Sequence, residues 1–273
     1  MSKHRFPYLL LCIISLAGLQ DLFSNERKFA FTYETSVLPK GAREIELWNT
    51  DRRGRAYFYR RLDQRIEYEF GVTDNLMSAV YLNYTWRVRD SNEGAPGGAK
   101  SSSYSMSISN EWKYKLMDRV ADPFGFAVYG EWTVGPDKQE LEGKLLFDKQ
   151  LSNLLFALNA VGEQEWSYDV VNGTTEIEEE LIAEIDLAAA YEFTPHFSVG
   201  LEALQKTVFI NGSLKHSSLF AGPSIAFSNE YFWTVLTIQP QLTSFKGATT
   251  QNGSLDLGEF EKVQTRLLFS FHL

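Results

Sequence analysis

Charged side chains recur at every second position through Arg61, Asp63, Arg65, Glu67 and Glu69. In an extended chain that spacing puts all five on one face. Two kinds of chemistry are open to such a row. Matched in sign across neighbouring strands, the side chains pair and fill an interior; left unmatched, carboxylates attract positive solutes into a passage or cavity. The same register continues through Arg87, Glu111, Lys113, Glu131, Glu140, Glu142, Lys144, Glu163, Glu165, Glu184, Asp186, Glu202, Lys206, Lys262 and Arg266. Acids outnumber bases in this set, so both uses stay open.

Rows of this kind need strands. The clearest is Ser103 to Leu116, where Tyr104, Met106, Ile108, Trp112, Tyr114 and Leu116 share one face while Ser103, Ser105, Ser107, Ser109, Glu111, Lys113 and Lys115 share the other. A helix does not sort residues with period two. Leu76 to Arg89 and Glu180 to Phe193 divide the same way, although Glu176 to Glu180 alone would suit a charged helix. Alternating runs occur near 42–51, 56–71, 76–89, 103–117, 124–135, 139–149, 153–167, 177–193, 197–209, 216–227, 231–243 and 259–273, which predicts about twelve strands.

The first residues say where such strands would be used. Lys3, His4 and Arg5 precede an apolar run from Phe6 to about Leu19, the outline of a secretory signal peptide over 1–24. The run is shorter than the roughly 20 residues of a spanning helix. Its Cys12 is the only cysteine, so the remaining chain forms neither a disulfide nor a thiolate metal site. Exported strands with one apolar and one polar face fit a closed antiparallel barrel in an outer membrane, since a bilayer admits strands only without open edges. The expected layout is a short periplasmic segment over 25–41 followed by a barrel over 42–273.

Connections and ends agree with this reading. Val72–Asn75, Asp118–Pro123, Gln150–Ser152, Thr194–His196 and Ser228–Glu230 are short and rich in turn formers, as periplasmic turns are. Asp90–Ser102, Tyr168–Glu176, Ile210–Lys215 and Ser244–Gly258 are expected as outer loops, and Thr50–Arg55 and Gly135–Lys138 as short exceptions. Aromatic residues gather toward strand ends (Trp48, Tyr57, Tyr59, Phe70, Trp86, Tyr104, Trp112, Phe124, Trp132, Trp166, Phe193, Phe197, Phe232 and Trp233). Interfacial girdles use such residues. The last strand carries Val263, Leu267, Phe269, Phe271 and Leu273 on one face. It is similar to the C-terminal signal by which outer-membrane proteins are recognised for insertion, with Leu273 in place of the usual terminal aromatic.

Several functions are disfavoured. A net charge of −9 argues against nucleic acid. A lipid hydrolase on this architecture would need serine and histidine facing lipid with a polar orienter. Beyond the leader the histidines are His196, His216 and His272, and His216, although beside Ser217 and Ser218, has inward parity. No zinc spacing, calcium loop or Gly-rich phosphate loop appears, so no cofactor, metal or catalytic residue is expected.

The opening P-K-G turn before Glu44, Glu46 and Trp48, the F-A-G-P-S-I-A-F around Gly222 and the F-W-T-V-L-T-I-Q-P-Q-L around Pro240 resemble an uncharacterised family of bacterial outer-membrane β-barrel proteins, porin- or transporter-like with about twelve strands. The resemblance implies fold and location and does not identify a solute. The function expected first is passive or selective passage of small solutes, cations among them, through the barrel. A structural or adhesion barrel with a plugged lumen is the alternative, and a lipid hydrolase the third. Expected partners are outer-membrane lipids and the insertion machinery, the latter through Leu267, Phe269, Phe271 and Leu273.

Overall fold

Strand propensity and period-two sorting carry through to an all-β architecture in the computed structural model, which describes residues 26–91, 99–171 and 173–273. The expected signal peptide and the centre of the Asp90–Ser102 loop lie outside those residues. The chain runs through Arg43–Arg53 (β1), Tyr59–Thr73 (β2), Leu76–Asp90 (β3), Lys100–Met117 (β4), Gly125–Val134 (β5), Lys138–Leu151 (β6), Leu154–Val171 (β7), Thr174–Thr194 (β8), Phe197–Ile210 (β9), Ser213–Ser228 (β10), Phe232–Lys246 (β11) and Val263–His272 (β12). Each strand pairs antiparallel with the next, and β12 pairs with β1 from Glu44 opposite His272 to Arg53 opposite Val263. Closure leaves no unpaired edge.

The burial pattern is inverted relative to a water-soluble protein. Ile66, Leu82, Ile108, Leu141, Leu187 and Leu201 are exposed on the outer face, with Leu187 54% exposed, whereas Glu67, Glu111, Glu131, Asp186 and Glu202 are buried inside. An apolar exterior around a polar interior is stable only with lipid as the outer solvent.

Three features differ from the sequence-based expectation. Tyr168–Glu176 and Ile210–Lys215 are not longer loops: β7 and β8 are separated by residues 172–173 and β9 and β10 by residues 211–212. Asn211 and Gly212 both have positive φ, 47° and 74°, the conformation of a two-residue hairpin whose twist matches its strands. β7 and β8 therefore continue further on that side, at 18 and 21 residues. Trp48, Tyr59 and Trp233 do not join an outer girdle. All three are buried inside, and the Trp233 indole N–H donates to Glu44 Oε2 at 3.1 Å. Their rings fill a lumen that charged residues alone would leave open. Finally, the segment over 25–41, expected to precede the barrel in the periplasm, is described from Glu26, and its residues 27–38 lie within the lumen.

Candidate functional site

The lumen is occupied by a loop of the chain's own backbone. Its hinge is at the mouth bearing the short turns, where Gly41 N–H donates to Gly71 O and Gly71 N–H to Ala42 O, each at 3.0 Å. A Cβ on Gly71 would lie 1.9 Å from the Pro39 carbonyl oxygen, so a side chain at 71 would block the segment's entry. From there Leu38 and Val37 pack against Met77. Thr35 then donates its N–H to Asp148 Oδ2 at 2.9 Å and its hydroxyl to Asp148 Oδ1 at 2.7 Å.

Deeper in, side chains of the barrel wall take the place of a neighbouring strand. Tyr33 N–H donates to Asn159 Oδ1 at 2.6 Å, and Asn159 Nδ2 donates back to Tyr33 O at 2.9 Å. The Glu202 carboxylate, only 1% exposed, accepts from three consecutive backbone N–H groups: Ala30 and Phe31 at 2.9 Å and Thr32 at 2.8 Å. The Thr237 hydroxyl donates to the same carboxylate at 2.6 Å. Buried backbone donors need such partners when no ladder supplies them. Arg266, paired with Thr237 across the β11–β12 ladder, donates to Ala30 O at 3.2 Å, and its guanidinium lies over the Phe31 ring.

The segment then turns back. Lys28 N–H donates to Glu34 Oε1 at 2.6 Å, and Lys28 Nζ stands 3.8 Å from Glu192 near the starting mouth. Arg27 stacks over Tyr33 at 4.2 Å and Trp48 at 5.0 Å. In the β4–β5 turn, Arg119 binds Glu34 and has Nη1 3.6 Å from Asp148 Oδ2. Burial disfavours the Arg119 charge, but Glu34 and Asp148 hold its pKa above the usual guanidinium value.

The strand residues expected to line the lumen lie at inward parity and most are engaged with one another, whereas Lys262 precedes β12 and is exposed beside Gly54, Glu261 taking the inward place. Asp63 receives Arg61 at 2.6 Å, Arg52 at 3.0 Å and the Thr85 hydroxyl at 2.8 Å. Arg65 lies over the Trp48 and Tyr81 rings at 4.7 and 4.0 Å and donates to Asn83 at 2.9 Å. Its Nη2 is 3.7 Å from Glu131. Glu111 and Glu131 share the hydroxyls of Tyr81 and Tyr129. Lys206 pairs with Glu184 at 3.0 Å and Lys144 with Glu142 at 2.8 Å. Glu163 lies opposite Glu142 and beside Glu140 and Glu165, within reach of the Lys206 charge. Arg87 Nε and Asp186 Oδ1 are buried without a hydrogen-bond partner, as are single oxygens of Glu67 and Glu69. Lys113 is buried with its Nζ 6.0 Å from the Tyr33 ring.

At the other mouth, the connection from β11 to β12 also folds inward. Asp256, fully buried, takes His216 Nδ1 at 2.7 Å. Leu257 O accepts from Ala56 N–H at 3.0 Å, Phe260 meets the Phe220 ring edge-on at 5.9 Å, and Glu261 binds Arg52 at 2.6 Å. His216 thus faces Asp256 and Phe260 rather than lipid. His272 lies 3.2 Å from Glu44, and His196 lies in the β8–β9 turn. The three histidines are not brought together.

Asn159, Asp148 and the backbone of residues 28–35 are the parts of this site that the sequence did not single out. Asn159 and Asp148 do lie at inward parity on β7 and β6, which was the available signal.

The family comparison is decisive for kinship. A family profile matches residues 21–273, most of the chain. The chain belongs to the family of unknown function DUF6662. No curated protein matches its sequence. Among solved structures, it is similar to the COG4313 outer membrane channel from Pseudomonas putida F1, with 13% identity and a TM-score of 0.60 over 88% of this chain and 98% of that one. The NanC porin is similar at 9% identity and a TM-score of 0.54, covering 84% of this chain and 100% of that one. The translocator domain of the autotransporter NalP from Neisseria meningitidis is similar at 9% identity and a TM-score of 0.54, covering 86% and 90%. At these identities the likeness shows the fold of an outer-membrane barrel.

Proposed function

We propose that this protein is a non-enzymatic outer-membrane channel for small solutes, closed from its periplasmic side by its own residues 26–41. The observation that carries the reading is the attachment of that segment: a run of backbone held by the Glu202, Asn159 and Asp148 side chains, without a strand ladder. Side-chain contacts of this kind can be exchanged for water, whereas the barrel ladder cannot. Withdrawal of the segment would expose an interior rich in carboxylates, which favours positive solutes. The fold shared with a channel and a porin agrees with passage.

The turning of His216 toward Asp256, away from the lipid face, supports a non-catalytic role. Membrane lipid would cover the outer apolar face, and the insertion machinery would read Leu267, Phe269, Phe271 and Leu273 on the closing strand. One observation favours the alternative of a permanently filled structural barrel: residues 256–261 cover the second mouth as well.

Planar-bilayer conductance separates the two. The wild-type protein and the double variant Asn159→Leu/Glu202→Gln, each shown to be folded by its heat-modifiable gel mobility, are compared in a salt gradient. The channel reading expects rare steps from the wild type and frequent, cation-favouring steps from the variant. Silence from both folded proteins overturns it in favour of the filled barrel.

A further inference from the structure

Near the hinge end of the lumen, Glu46 on β1 stands directly opposite Glu67 on β2, with Glu69 two residues further along the same face. Like charges in register across a strand pair repel, and burial strengthens the repulsion. All three side chains are nevertheless buried, at 1%, 1% and 5% exposure. One carboxylate oxygen from each lies within 4.8 Å of the others. Glu46 Oε1, Glu67 Oε2 and Glu69 Oε2 have no hydrogen-bond partner.

The cations nearby are directed elsewhere. Arg65 Nη1 is 3.9 Å from Glu67 Oε2, beyond hydrogen-bond reach, and its head group is committed to Asn83, Glu131 and two rings. Arg27 stacks on Tyr33 and Trp48 and donates to Ala30 O, and it acts on Glu46 and Glu69 through its charge. Lys113 divides its electrostatic attraction between Glu111 and Glu69. Three buried carboxylates that converge while each keeps an oxygen without a hydrogen-bond partner are costly as anions without a cation between them.

We infer that Glu46, Glu67 and Glu69 form a binding site for a calcium-sized divalent cation. Oxygen-only donors select a hard ion. Mg²⁺ demands near-ideal octahedral geometry and gives up its waters reluctantly, so a buried cluster of protein carboxylates favours the larger Ca²⁺. The site is independent of the channel reading, because a filled structural barrel would hold the ion equally well.

Trp48 supplies a built-in probe, since its indole N–H donates to the other oxygen of Glu46. The test is terbium luminescence sensitised by tryptophan, recorded on the intact folded protein in detergent with TbCl₃ and then with CaCl₂ or MgCl₂ as competitor. The expected result is sensitised emission displaced by Ca²⁺ at lower concentration than by Mg²⁺. Removing one of three charged ligands, by Glu67→Gln or Glu69→Gln, should weaken Tb³⁺ binding by about tenfold or more. Glu163→Gln, in the other acidic group, should leave it unchanged. Absence of emission from wild-type protein refolded with TbCl₃ would overturn the site. So would emission that survives in both folded variants, which would put the ion elsewhere. Neither outcome depends on conductance.

Discussion

Asn159 and Tyr33 exchange two hydrogen bonds, the side-chain amide of one accepting the N–H and donating to the carbonyl of the other at 2.6 and 2.9 Å. A neutral carboxamide presents the same donor and acceptor pair as a peptide group. At this one position the barrel wall imitates a strand for a segment that has none. Asn159→Leu removes both bonds and leaves the Tyr33 peptide buried and unsatisfied, at a cost of about 1–3 kcal/mol to segment docking. Limited trypsin digestion of the folded protein reads this directly. Arg27 and Lys28 are sealed in the wild type, and cleavage after them should become faster in the variant. Equal resistance would mean that the segment is held by other contacts.

Gly71→Ala tests the hinge without touching the lumen. Its methyl group would collide with the backbone oxygens of Pro39 and Leu38, an overpacking that costs about 1–3 kcal/mol. The barrel ladder should survive while trypsin reaches the segment. A crystal structure of the variant with residues 28–39 unmoved would refute the hinge.

On the outer face, Leu187→Arg should destabilise the barrel by about 2–4 kcal/mol if the position is at the bilayer midplane. The adjacent Asp186→Asn should cost far less, because one oxygen of Asp186 already lacks a partner. Reversible urea unfolding in liposomes measures both. Comparable losses would contradict the inward and outward assignment of β8.

The β4–β5 turn gives a pH prediction. Backbone N–H donation from Val120 at 2.9 Å, and from Ala121 at 3.2 Å, holds the Asp118 carboxyl below its ordinary value of 3.8. A depressed acid contributes stability that is complete above 3.8 and is lost as pH falls through its folded value. The Val120 amide resonance in micelles should therefore titrate with a midpoint below 3.8. A midpoint at or above that value would show that the carboxylate does not cap the turn.

The strands were legible because a lipid-facing barrel must repeat its chemistry every second residue, and Arg61 through Glu69 or Ser103 through Leu116 do so within one element. The paired Asn-Gly at 211–212 was a readable hairpin turn as well, although loop composition pointed to something longer. Residues 28–35 were not legible as a plug, since their partners are remote: Asn159 is 126 positions from Tyr33 and Glu202 is 172 from Ala30. No local pattern encodes such a meeting. Trp48 shares the parity of Glu44 and Glu46, so its inward direction was available. Trp233 shares the parity of Thr237, Gln239 and Gln241, so its inward direction was available as well, although Val235 between them is apolar.

The segment between Glu26 and Ala42 is an intramolecular ligand whose receptor is the rest of the same chain. Tethered at the Gly71 hinge, it meets its site at an effective concentration in the millimolar range, whatever the protein concentration in the membrane. A peptide of the same sequence added from solution would have to exceed that level to compete. The resting occupancy of each molecule is thereby fixed by its own covalent connection, and every copy would close independently of its neighbours.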